Sequence, residues 1–221
     1  CGARLTMNYY VPGGLMADMH PAFQKKVKEF IVLFKRKIDE YDELVTGNII
    51  FINRMKGVGF LSKEDAISYG CSGPAARGSG VNSDIRKLYP YAVYDKVQFD
   101  EVLETGCDSL ARYMIRIREM KQSIRIIEQL IDNIPEGDFQ AKTKAVLKLP
   151  KGEFYTRVET ARGELGVYIV SEGGTTPYRI KFRSPGFSNL SALDHMARGS
   201  KLGDLVAMMG TLDLVIPDID R

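Results

Sequence analysis

Residues 151–174 read KGEFYTRVETARGELGVYIVSEGG, and a third run of the same character, PYRIKFRS, follows at 177–184. β-branched and aromatic residues dominate all three runs. A tight Arg162-Gly163 turn separates the first two and Gly173-Gly174 the last two, the punctuation expected between hairpin strands. In the third run Tyr178, Ile180 and Phe182 alternate with Arg179, Lys181 and Arg183, so one face is apolar and the other basic. The Arg179-Lys181-Arg183 stripe is expected to face solvent. These runs predict a small antiparallel sheet within residues 150–185.

Upstream the pattern has a different period. Phe23, Val27, Phe30, Phe34, Ile38, Tyr41 and Leu44 recur at three- and four-residue steps, with lysines between them. That is the stripe of an amphipathic helix, starting near His20-Pro21 and ending at Gly47-Asn48. A second helix is expected over 49–56, and a third after the capping residue Ser62, with Asp65 three positions on and Gly70 as its stop. Residues 108–134 carry the strongest helical period. Leu110, Tyr113, Ile117, Met120, Ile124, Ile127 and Ile131 line one face, and Arg112, Arg116, Glu119 and Arg125 fall elsewhere, on a side read as polar. Two long amphipathic helices are expected to pack together. The fold class is therefore α+β, in a single domain over 1–221: mainly helical in 1–134, a sheet in 150–185, then short helices (about 189–197 and 200–209) and a tail in 186–221.

The glycine-rich stretch SGPAARGSG at 72–80 invites a nucleotide-binding reading and does not sustain one. Gly73 and Gly78 have the P-loop spacing, but Ser79 stands where the lysine belongs. Gly78 and Gly80 begin a dinucleotide fingerprint that fails at Ser83, and the residues before it predict a helix rather than the required strand. An irregular loop that ends a helix is expected instead. Composition narrows the classes further. The 221 residues are 44% hydrophobic, enough for a core, and carry a net charge of only +3, too little for a nucleic-acid-binding face. The three cysteines, Cys1, Cys71 and Cys107, form no C-x-x-C pair and no disulfide framework, as expected in a reducing compartment. No transmembrane run or signal-peptide pattern is present in these 221 residues. The chain opens CGARLTMNYY without an initiator methionine, and an N-terminally truncated piece of a longer polypeptide is expected.

Several blocks, in order, carry a resemblance: RLTMNYYVPGG, LSKEDAISYGCSGPAARGSGVNSDIRK, PYAVYD, QSIRIIEQ, PKGEFYTRVETARGELGVYIVSEGG, PYRIKFRSPGFSNL and GTLDLVIPDIDR. Together they are similar to the D-type subunit of respiratory complex I, the large quinone-site subunit of proton-pumping NADH:quinone oxidoreductase, over its second half or somewhat more. Cys71, Ala75-Ala76 and the 138–149 connection depart from the family pattern. The resemblance implies a fold like that of nickel–iron hydrogenase large subunits. It implies quinone as substrate and no cofactor on this chain. The terminal iron–sulfur cluster would sit on a small partner subunit, a membrane subunit would deliver quinone, and other peripheral-arm subunits would adjoin. The place would be the cytoplasmic face of a bacterial inner membrane. NADH and flavin belong to other chains of that complex.

A hydrogenase metal site needs two C-x-x-C pairs, and neither VIPDIDR nor the surroundings of Cys1 supplies one. This favours the quinone branch. The runner-up is a scaffold member of a related hydrogenase-like or ferredoxin-dependent membrane complex. By resemblance, Asp213 and Val215 of the tail, with Leu212 beside them, line the quinone chamber, and Arg162 lies near it. Burial would favour a neutral Asp213 and a neighbouring arginine its charge. Arg77, Gly78 and Gly80 are assigned to docking against a neighbouring subunit near the cluster. The histidine and tyrosine that grip the quinone headgroup in the family would lie upstream of Cys1, so no catalytic residue and no metal ligand is assigned here. His20 and His195 receive no role.

Overall fold

The computed structural model describes residues 8–144 and 146–220. The chain's first seven residues, which include Cys1 and the start of the first resemblance block, lie outside that range.

A minimal hairpin, β1 (Tyr10–Val11) and β2 (Gly14–Leu15), precedes α1 (Phe23–Tyr41); the hairpin is too short for any sequence periodicity to announce it. The helix continues as one π turn, Asp42–Thr46, before Gly47. Asn48 then starts α2 (Ile49–Met55), its side chain accepting from the amides of Ile50 and Phe51. α3 (Lys63–Ser68) is capped by Ser62, whose hydroxyl accepts from Asp65 N, and Gly70 leaves it at φ +65°. Both expected stop–start signals therefore act where the residues predict.

The expected loop at 72–80 is instead a short buried helix, α4 (Gly73–Arg77). Glycine here serves close approach rather than looseness. A Cβ on Gly73 would meet the carbonyl oxygen of Arg162 and the Cα of Gly163, each at 2.5 Å. Gly73 also takes φ +64°, which side chains disfavour. α5 (Ile85–Leu88) follows, capped by Asp84.

The long helix α6 (Ser109–Leu130), capped by Asp108, is the axis of the molecule. Its Ile117 and Ile124 pack against Ile31 and Ile38 of α1, as the two periodic stripes predict. Its Ile126 packs on Val97 and Phe99. The side read as polar also faces inward: Arg112 is fully buried and Glu119 and Arg116 are half-buried. The reason is that α4 and the later helix 202–212 pack over it, and Arg77 of α4 reaches Glu119 from there.

β3 (Gly152–Thr160), β4 (Gly163–Ser171) and β5 (Arg179–Arg183) form the predicted antiparallel sheet in the order β3-β4-β5, with Thr160 opposite Gly163 at the turn. Of the basic stripe, Arg179 and Lys181 are exposed. Arg183 is not free in solvent: it donates to Ser72 Oγ (2.9 Å), Glu164 O (2.6 Å) and Gly70 O (2.8 Å), fastening the sheet to the segment before α4.

Four short helices end the chain: α7 (Pro185–Ser191), α8 (Leu193–Ala197), α9 (Leu202–Leu212) and α10 (Ile216–Ile219). α7 begins earlier than expected because Ser184 caps it and Pro185 occupies its first position. Met196, Met208 and Leu212 close over Leu61, Ala66, Cys71, Ala75 and Ala76 to make the main apolar core.

Candidate functional site

The turn between β3 and β4 presents Arg162. Thr160 Oγ1 donates to Gly163 O (2.8 Å) and accepts from Arg162 N (3.3 Å), which fixes the turn from within. Asp213 ends α9 with φ +56°, a left-handed conformation that turns the chain sharply toward α10. Arg162 Nε donates to the Asp213 carbonyl (3.2 Å) and stands 3.7 Å from its carboxylate Oδ2. Two residues expected at one chamber, 51 positions apart, are thus brought together.

The other expected residues divide. Val215 is half-buried at the start of α10, two positions from Asp213. Leu212 is 1% exposed and belongs to the main core with Met208 and Ala75, so it has no surface to give a chamber; its placement as a chamber wall is corrected. Arg77 is also corrected. It is 1% exposed, and its guanidinium is spent inside the chain on Glu119 Oε1 (Nε and Nη2, both 2.7 Å) and Glu159 Oε1 (Nη1, 2.8 Å), so it has nothing left to dock with. Gly78 is buried against Arg112, whose Cγ would lie 2.9 Å from an added Cβ; it too presents no surface. Gly80, half-buried at φ +73°, keeps some exposure.

Between these residues lies a cleft of about 370 Å³, lined among others by Arg77, Arg86, Arg116, Glu119, Glu159 and Asp213. Its charges are arranged in distinct states. Burial disfavours the Arg77 charge, but Glu119 and Glu159 outweigh it and hold the guanidinium more firmly protonated than usual. Asp84 and Arg86 pair in the same way, Nη2 to Oδ2 at 2.6 Å; burial opposes the Asp84 charge, yet Arg86 holds its carboxyl below the usual range. Glu119 goes the other way, since burial outweighs Arg77 and raises its carboxyl above the usual range. Burial also lowers Arg116, with Asp213 as the largest opposing charge. Arg116 Nη1 donates to Arg112 O (2.8 Å), and among the described residues no carboxylate lies within salt-bridge distance of it.

Deeper still, Arg112 donates to Thr211 Oγ1, Gly59 O and Ser109 Oγ, and its Nη1 has no hydrogen-bond partner. Burial pulls it down to about 10. The sequence did hold a signal for this polar side of α6. Arg112, Arg116 and Glu119 repeat at four and three residues, a polar stripe as regular as the apolar one beside it. Among the described residues, no group of three or more His, Cys, Asp or Glu side chains could hold a metal ion. No helix among them is long and apolar enough to cross a membrane.

Comparison with known proteins supplies the family. The model for "Respiratory-chain NADH dehydrogenase, 49 Kd subunit" matches residues 1–148 and 142–221. The chain belongs to this family. It is 53% identical over 221 residues to the C/D subunit of NADH-quinone oxidoreductase from Bacteroides thetaiotaomicron, covering all of this chain and 42% of that one. It is 47% identical over 221 residues to the D subunit of NADH-quinone oxidoreductase from Desulfotalea psychrophila, covering all of this chain and 59% of the relative. With the D 2 subunit of the Solibacter usitatus oxidoreductase the identity is 45% over 221 residues, 100% of this chain and 60% of the other. The chain thus spans between 42% and 60% of these relatives' length.

Proposed function

We propose that this chain is the quinone-site part of a proton-pumping NADH:quinone oxidoreductase, forming one wall of the chamber in which quinone is reduced. The observation that carries the reading is the Arg162–Asp213 contact: a guanidinium from a distant segment meets the residue Asp213 that lines a charged cleft. The surroundings support it. Val215 is half-buried beside Asp213, Ile216 is 66% exposed, and Val206 on α9 is 67% exposed, leaving apolar surface that a second wall could complete.

In this reading the chain carries no redox centre of its own. Electrons come from a reduced iron–sulfur cluster on a small partner subunit, and quinone enters by way of a membrane subunit at the cytoplasmic face of a bacterial inner membrane. Two electrons and two protons convert the quinone to quinol. Asp213 gives a proton to a quinone oxygen. Arg162, anchored on the Asp213 carbonyl, orients the acid and stabilises its carboxylate afterwards. The hydrogenase-like fold relation belongs to the same proposal.

Photo-crosslinking with a quinone analogue in the complete complex tests this. Label is expected on peptides spanning 160–165 and 210–217. Label confined to other peptides of the complex overturns the assignment.

A further inference from the structure

The cleft holds two glutamates on one arginine, and they are not equivalent. Glu159 of β3 has both oxygens occupied: Oε1 accepts from Arg77 and Oε2 from the amide of Ile85 (3.2 Å), and its side chain is 4% exposed. Glu119 of α6 receives both of its Arg77 contacts on Oε1, and its side chain is 19% exposed toward the cleft it lines. One carboxylate is thus locked as structure, while the other keeps an oxygen for exchange.

The charges around the cleft frame that oxygen. Arg77 from α4, Arg86 from α5 and Arg116 from α6 line the cleft together with Glu119, Glu159 and Asp213, and Tyr94 is also in the lining. Three cations against three carboxylates balance, so the cleft selects for neither a free anion nor a free cation. A polar cleft of about 370 Å³ is roomy enough for several waters with charged partners on every side. Asp213, Glu119 and Arg116 all line it, and both carboxylates favour the Arg116 charge that burial opposes.

We propose that Glu119 is the proton-exchanging carboxyl of this cleft, re-supplying Asp213 through the water it holds, with Arg77 fixing it in place. The inference rests on the quinone reading of Asp213. When Asp213 has lost its O–H proton to a quinone oxygen, the Glu119 O–H proton passes along water to the Asp213 carboxylate. Glu119 then recovers a proton from bulk solvent. Each quinol formed uses two such protons, and the two electrons come from the partner's iron–sulfur cluster. Glu119 does not touch the substrate; it acts through Asp213. Its burial-raised proton affinity suits a store that stays loaded above the pH at which an ordinary carboxyl empties.

The test uses the complete complex carrying Glu119→Gln, Glu119→Asp or Asp213→Asn. Quinone reduction is followed from pH 6 to 8, and ferricyanide reduction by NADH reports assembly. Glu119→Gln is expected to slow quinone reduction about tenfold at pH 8 and hardly at pH 6, where bulk protons reach Asp213 directly, and Glu119→Asp is expected to restore part of the rate. A loss that is equal at all pH values, or no loss, overturns the relay. If Asp213→Asn leaves quinone reduction intact, the quinone reading fails; if only Asp213→Asn impairs it, the relay alone fails.

A second measurement needs no assembled complex. The native chain holds the Glu119 proton more tightly than the unfolded chain, so that contribution to stability is full at pH below the unfolded carboxylate range and is lost as pH rises through the native one. Glu119→Gln lacks this dependence, and its stability relative to the parent is expected to improve from pH 4 to 8 in urea titrations. A difference that stays flat overturns Glu119 as a proton store.

Discussion

Helix α6 is packed on two sides by different chemistry. Toward α1, four isoleucines interlock and two lysine–carboxylate pairs, Lys35–Glu128 and Lys28–Asp132, lie along the solvent edge. Toward α4 and β3, the contact is a buried guanidinium shared by two carboxylates. The first side is tolerant, because apolar contacts are non-directional and rim ions can rehydrate. The second is all-or-none, because each buried charge depends on the others being present.

Three substitutions sharpen that contrast. Arg77→Ala strands Glu119 and Glu159 in the interior and is expected to cost about 3–5 kcal/mol in urea unfolding, the largest effect. A loss below about 1 kcal/mol places the pair outside the folding unit. Ile38→Ala, on the apolar side and 1% exposed, is expected to cost about 2–4 kcal/mol through the cavity it leaves, with the cleft unchanged. Lys35→Ala removes a pair that is about half exposed, and no more than about 0.5 kcal/mol is expected, vanishing at high salt. If Lys35→Ala rivals Arg77→Ala, the comparison between the two sides is wrong.

The same contrast explains what the residues reveal before folding. The sheet, its turns, both long helices and their mutual stripe are legible because local periodicity reports which side chains share a face. The environment of Arg77 is not, since its partners lie 42 and 82 positions away and nothing local marks them. The 72–80 segment misleads for a related reason. Glycine and proline signal a loop, whereas here Gly73 and Gly78 admit neighbouring backbone and side chain to a buried helix. Asp213 and Arg162 come from family resemblance; composition alone favours a solvated tail. Glu119 and Arg116 are visible only as a second stripe on α6, and which stripe water touches is decided by β3 and α4.

The 2.5 Å spacing that a methyl group on Gly73 would have to Arg162 O has a mechanical meaning. The helix that carries Arg77 and the turn that carries Arg162 abut without slack, like two teeth of one gear. A side chain at Gly73 would have to push that turn and that helix apart, so the fit between them admits no residue larger than glycine.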